Sequence, residues 1–328
     1  MATGFVYSDR FLEHDTGDAH PERPDRLRAV TKRLHASGLW GQLSHLPFEP
    51  ATVEQAAAVH DEAYLARVKR ACERHAAYVD SVDSAIAPVS YEIALLAAGG
   101  AIAAVDAVMK GTVRNAFAAL RPPGHHAERD RSMGFCLINN VAVAAEHLAR
   151  THGLQRVAII DIDVHHGNGT QHIFEERSDV LFVSLHEHPM YLYPGSGFAH
   201  DVGRGAGTGF TLNVPLDPNA DDARYRHVFQ TMVLPLLEGF DPQFVLVSAG
   251  FDATPDDPLA HLNLTPQGYQ WLARQLVSLA EKHCGGRIVS VLEGGYDLRS
   301  LAECVELHLR TLCEHEVEDD HMAMKAGF

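Results

Sequence analysis

The stretch Val157-Ala158-Ile159-Ile160-Asp161-Ile162-Asp163-Val164-His165-His166 decides how the rest of this chain is read. An apolar run that ends abruptly in acids and imidazoles predicts a strand over Val157–Val164, covered on both faces as in a parallel sheet. Successive side chains of a strand alternate, so Asp161, Asp163 and His165 share one face. A strand end exposed to water would also be polar, but the four apolar residues just before it argue for burial. Two acids and a histidine on a buried face need a cation or hydrogen-bond partners.

The same pattern recurs on either side. Apolar runs at Asn115–Leu120, Val180–His186, Phe244–Ala249 and Arg287–Leu292 predict further strands. Tyr91–Met109, Ile138–Thr151, Asp222–Glu238, Pro266–His283 and Leu301–Glu314 carry apolar residues at helical spacing. Thr265 is the N-cap of the Pro266 helix, and Gly285-Gly286 closes it. Strands alternating with helices predict an α/β chain with a mostly parallel central sheet and helices on both faces. No repeat and no linker rich in Pro, Gly or Ser divides the chain. One domain is therefore expected over residues 1–314, followed by an acidic tail, 315–328. Ligand sites of such sheets lie beyond the carboxyl ends of the strands, which is where this chain keeps its acids and histidines.

Composition narrows the classes. The 328 residues are 46% hydrophobic and 21% charged, enough for a large core and too apolar for a disordered chain. A net charge of −16 disfavours direct nucleic-acid binding, favours solubility and suits cationic substrates. Cys72, Cys136, Cys284, Cys304 and Cys313 are scattered and form no CxxC pair, so neither a disulfide framework nor a thiolate metal site is expected. The N-terminus lacks a basic-then-apolar signal, and no apolar run is read as approaching a membrane span of about 20 residues. The expected location is the cytoplasm.

Four segments carry chemistry. Asp163 and His165 follow one strand, and Asp252 follows the run Phe244–Ala249. Two carboxylates and one imidazole leave zinc an open position for water, as a catalytic site requires, although iron or cobalt suits the same atoms. Arg121-Pro122-Pro123-Gly124-His125-His126 holds two histidines on a stiff loop, as an acid–base pair needs. Glu293-Gly294-Gly295-Tyr296 brings a phenol beside backbone that passes close to a ligand, and that phenol could donate to an oxyanion. Taken singly, Asp252 reads as a turn residue and Tyr296 as a surface tyrosine.

In this order, these segments resemble the zinc-dependent histone deacetylase family, which includes acetylpolyamine amidohydrolases and acetoin-utilisation proteins. The resemblance runs from His20-Pro21-Glu22-Arg23-Pro24 to Tyr296 and takes in Gly134-Phe135-Cys136-Leu137-Ile138-Asn139-Asn140 and Gly167-Asn168-Gly169-Thr170. It is closest to the class II branch and its bacterial relatives, which carry Asn168 where class I usually has Asp. It implies an arginase/deacetylase-like fold and hydrolysis of acyl-lysine amides. Asp163, His165 and Asp252 would bind zinc. Asp161 would stand behind His125 and Asn168 behind His126, leaving His126 as the base that becomes the acid. Tyr296 would hold the oxyanion. Gly134, Phe135, Tyr193 and Leu259 would line the substrate tunnel, with Asp83 as the rim carboxylate. The resemblance also implies potassium near Asp161, with Ser184 and backbone of Asp163, His165 and Leu185, and a second potassium site involving Phe174. Relatives with chains this short often form homo-oligomers.

Two positions depart from the family pattern. Tyr193 stands where the second tunnel wall is usually Phe before Pro. Leu259 stands where the polyamine-selective member of the class II branch has Glu, which favours acyl-lysine peptides or proteins over acetylpolyamines. The rival readings are a small-molecule amidohydrolase acting on acylated amines and a catalytically silent acyl-lysine binding protein.

Overall fold

The computed structural model describes residues 1–325, with side chains through Glu314. The expected acidic tail therefore lies outside the residues whose side chains are described.

Eight strands form one sheet: β1 Thr3–Val6, β2 Ser44–His45, β3 Asn115–Ala118, β4 Val157–Asp161, β5 Val180–Glu187, β6 Thr211–Leu216, β7 Phe244–Ala249 and β8 Ile288–Leu292. Their order is β2-β1-β3-β8-β7-β4-β5-β6, and every neighbouring pair is parallel. The helices are α1 Asp25–Ala36, α2 Val53–Ala57, α3 Glu62–Glu73, α4 Ser90–Met109, α5 Asn140–His152, α6 Asn168–Phe174, α7 Asp222–Val228, α8 Leu234–Phe240, α9 Pro266–Cys284 and α10 Leu298–Lys325. One group, α4 with α5, packs on β1, β3 and β4, and a second, α1 with α9 and α10, packs on β1, β3 and β7. Every residue of β4, β5, β7 and β8 is buried, as the continuous apolar runs require of strands covered on both sides.

Three differences from the sequence reading have physical causes. First, β4 stops at Asp161, three residues early. Asp161 Oδ1 accepts from the Asp163 amide at 3.1 Å, and Asp163 Oδ1 accepts from the His165 amide at 2.8 Å. Such local side-chain bonds replace the ladder. The alternation rule thus reaches only Asp161, and two successive Asp-centred turns carry Asp163 and His165. Second, the single helix expected over Asp222–Glu238 is α7 and α8 joined by a wide π turn, Phe229–Val233. Pro235, in the first turn of α8, lacks an N–H and crowds the preceding carbonyls, which widens the helix there. Third, α4 is long and apolar enough to cross a membrane, contrary to the sequence reading. Its residues are mostly buried against β1, β3 and α5, so it is a core helix of this fold.

Candidate active site

The carboxyl ends of β3, β4, β7 and β8 open onto one buried cluster. Asp163 and His165 follow β4, Asp252 follows β7, and their ligand atoms all lie within 4.8 Å of one another. His165 Nδ1 is 3.0 Å from Asp163 Oδ1 and 3.3 Å from Asp252 Oδ2. The backbone aims both acids. The Val164 amide donates to Asp252 Oδ1 at 2.8 Å, and the Gly294 amide donates to Asp163 Oδ2 at 2.8 Å. Asp252 Oδ2 is buried without a hydrogen-bond partner. Burial lowers the His165 imidazole, but the two carboxylates overcome it and hold the ring up at about 10. A buried pair of acids that needs a positive charge, with one oxygen left free, fits a divalent cation. The donor set suits zinc with an open position.

Two histidines flank the cluster. His125 Nδ1 is 2.9 Å from Asp161 Oδ2, His126 Nδ1 is 2.7 Å from Asn168 Oδ1, and the two ring centres are 4.0 Å apart. Burial acts against charge on both rings. At His125 the Asp161 and Asp163 carboxylates outweigh it and hold the imidazole up at about 10. At His126 burial is reinforced by His125 and His165, and the ring is pushed well below its usual range. The two imidazoles are thus driven in opposite directions, His125 toward the protonated form by its carboxylate partners and His126 toward the neutral form that a base requires.

The loop that carries them is held at both ends. Arg121 is buried and donates to Glu22 Oε1 at 2.5 Å, Glu22 Oε2 at 2.8 Å and the carbonyls of Phe11 and His14 at 2.8 and 2.9 Å. Glu293 Oε2 accepts from the amides of Gly124 at 2.6 Å and His125 at 3.1 Å.

Above the cluster is a cavity of about 230 Å³ lined by Asp83, His126, Gly134, Phe135, His165, Leu192, Tyr193, Leu259 and Tyr296. Phe135 forms one wall and packs edge-on to Tyr296 at 5.8 Å. Tyr193 forms the other, edge-on to His126 at 5.2 Å. Gly134 and Phe135 both adopt left-handed backbone, φ +52° and +69°. A Cβ on Gly134 would stand 2.3 Å from His126 Cδ2, so only glycine lets this wall approach the histidine. Asp83 at the rim accepts from the Gly134 amide at 3.3 Å. Burial pushes the Tyr296 phenol well above its usual range, which keeps its proton available for donation. The structure thus brings together all the residues expected to bind zinc, to act as acid, base or oxyanion donor, and to line the tunnel. Of those assigned to potassium, Asp161 pairs in register with Ser184, Leu185 follows in β5, and Phe174 ends α6 beneath Arg177.

Sequence reading missed the residues that hold these groups. Glu128 Oε1 accepts from Asn168 Nδ2 at 2.6 Å and so turns the Asn168 oxygen toward His126. Asp257 Oδ2 accepts from the Tyr296 amide at 2.7 Å. Arg26 lies 5.1 Å from the centre of the Tyr296 ring. Glu293 stood inside the segment singled out for Tyr296, and Asp257 two residues before Leu259. Glu128 carried no motif of its own.

Residues 20–312 match the histone deacetylase domain family. The chain is 45% identical over 277 residues to the histone deacetylase-like amidohydrolase of Pseudomonas aeruginosa, covering 84% of this chain and 72% of that protein. It is 40% identical over 325 residues to polyamine deacetylase HDAC10 of Homo sapiens, covering 95% of this chain and 48% of that protein. The crystal structure of the HDA15 HD domain is similar with a TM-score of 0.90 and 38% identity, covering 95% of this chain and 88% of that one. On the family match over most of its length and these identities, the chain belongs to the histone deacetylase family as a hydrolase acting on amides.

Proposed function

We propose that this enzyme removes acetyl or other acyl groups from lysine side chains, using one zinc ion held by Asp163, His165 and Asp252. The observation that carries the reading is the convergence of these three ligands, neutral His126 and the Tyr296 phenol at the base of a narrow aromatic-walled cavity. Zinc bound there supplies Lewis acidity toward the amide carbonyl and acidity to a water molecule.

The remaining work belongs to the chain's own residues. Phe135 and Tyr193 clasp the apolar stem of the acyl-lysine, and Asp83 accepts from the substrate backbone at the rim. His126 Nε2 takes the proton of the attacking water as the carbon–oxygen bond forms, because its Nδ1 is engaged by Asn168. Tyr296 donates to the oxyanion, an interaction worth about 3 kcal/mol for one such donor. His126 then returns its proton to the nitrogen as the carbon–nitrogen bond breaks, giving free lysine and a carboxylate. His125 stays charged against Asp161 and steadies the negative charge of the site. Potassium near Asp161, Ser184 and Leu185, with a second site at Phe174, is part of the same proposal.

A second reading, hydrolysis of acetylpolyamines or other small acylated amines, draws on the similarity to polyamine deacetylase HDAC10. Leu259 at the rim weakens it, since an aliphatic side chain offers a second ammonium nothing. The test is a panel of acyl-lysine peptides and acetylpolyamines, with and without a zinc-specific chelator. Chelator-sensitive release from peptides is expected. Release from polyamines alone would transfer the proposal to the second reading, and no release with zinc bound would leave an acyl-lysine binding protein.

A further inference from the structure

A second cluster of metal-type donors lies away from the tunnel, on the side of the sheet where the strands begin. Asp106 is in the last turn of α4, and His147 and His152 are in the last two turns of α5, the helix that leads into the amino end of β4. His147 Nε2 is 2.8 Å and His152 Nε2 is 2.7 Å from the same oxygen, Asp106 Oδ1. The three ligand atoms lie within 4.8 Å of one another, and the two imidazole planes are nearly perpendicular, 5.4 Å between centres. Lys110 Nζ pairs with the other oxygen, Asp106 Oδ2, at 2.7 Å. That contact directs Oδ1 toward the histidines.

Packing fixes this arrangement before any ligand arrives. The side chains of His147, His152 and Asp106 are 12%, 17% and 26% exposed, covered enough to hold their places and open enough for water to complete a coordination shell. His147 Nδ1 lies 3.3 Å from Thr151 Oγ1.

We propose that Asp106, His147 and His152 form a second metal site for a borderline divalent cation such as Zn²⁺, Co²⁺ or Ni²⁺, with water in the remaining positions. Two imidazole nitrogens and one carboxylate oxygen are the ligand chemistry of such ions and unlike the all-oxygen shells of Mg²⁺ or Ca²⁺. A metal-bound imidazole at either position would offer Nε2 to the ion and carry its proton on Nδ1. At His147 that Nδ1–H donates to Thr151 Oγ1, an outer contact of the kind that orients metal-bound histidines. The ion would clamp the end of α5 to α4. This inference does not rest on the proposed deacylation.

The test is calorimetric titration of untagged, zinc-loaded protein with Zn²⁺, read with the metal content per chain. Wild type is expected to bind one equivalent beyond the catalytic one, and its melting temperature to rise with added metal. His147→Gln with His152→Gln should weaken that equivalent at least about 10-fold, the lower end of what losing even an outer partner costs. Peptide hydrolysis should be unchanged. Asp106→Asn, which keeps the shape and an amide oxygen, should have the same effect on binding and serves should the double variant fold poorly. Uptake of no further equivalent by wild type, or a further equivalent equally tight in the variants, would overturn the proposal.

Discussion

Asn168 could face His126 with either end of its amide, and Glu128 decides which. A carboxylate only accepts, so it takes the Asn168 nitrogen at 2.6 Å and leaves the oxygen for His126 Nδ1. The proton is then on Nδ1 and the lone pair on Nε2, as a base requires. Glu128→Gln removes that compulsion. Activity on peptides should fall about 10-fold with metal content unchanged, the scale of losing an outer partner, and full activity in the variant would show that something else fixes the ring. Burial, His125 and His165 all depress His126. A base of depressed pKa stays deprotonated as pH falls, so the acid limb of kcat/KM should lie below the ordinary histidine value of about 6.5. A midpoint above that value in a pH–rate profile would contradict the assignment. Tyr296 acts on the oxyanion that forms as the water adds. Tyr296→Phe should lower kcat by about 100- to 1,000-fold while metal analysis finds the same zinc, and unchanged turnover would remove the phenol from the mechanism.

Elements differ in how openly the sequence announces them, and the differences are physical. The helix α9 carried every signal, and Thr265 does cap it: its Oγ1 accepts from the Gly268 amide at 3.0 Å and donates to Asp222 Oδ2 at 2.7 Å. Thr265→Ala should cost about 1 kcal/mol in urea denaturation and leave hydrolysis intact. A stability loss within error would mean that Asp222, which also accepts from the Thr265 amide at 2.8 Å, suffices as the anchor. The central strands were legible because burial on both faces forces continuous apolar runs. The edges were not. β2 has two residues, and β6 contains Pro215, which an edge strand tolerates but which argues against a strand when only the sequence is read. The short α6 was hidden by its glycines. Gly169 is there because a Cβ would meet the Ala127 carbonyl oxygen at 2.2 Å, so the helix runs directly against the histidine loop. The reacting residues were legible because each follows a buried strand. Their supports Glu128 and Asp257 were not, because what they hold is assembled only when loops from different strands meet.

At the scale of the molecule, Glu22 ties the amino-terminal segment to the site. Its carboxylate takes Arg121, which anchors the histidine loop, and Arg26 at 3.1 Å, which also donates to the Glu293 and Gly295 carbonyls at 2.5 and 2.7 Å. One buried acid thus holds two buried guanidiniums, and through them the loops carrying His125, His126 and Tyr296. Burial alone would raise the Glu22 carboxyl, but Arg121 and Arg26 outweigh it and hold it down at about 2 from 4.5. A carboxyl depressed on folding stabilises the native state fully above its unfolded value, and the contribution is lost as pH falls through the folded one. Here the window runs from 4.5 down to about 2 and the amount is about 3 kcal/mol. Glu22→Gln leaves both arginines without their shared charge and should cost about 3–5 kcal/mol at neutral pH. The gap between wild type and variant should close on acidification. The metal ligands also take up protons in acid, but they do so in both proteins, so the difference between them isolates Glu22. Urea denaturation of the pair across that window measures it. Parallel losses, with the gap constant, would mean that the depressed carboxyl is not what holds the two loops in acid.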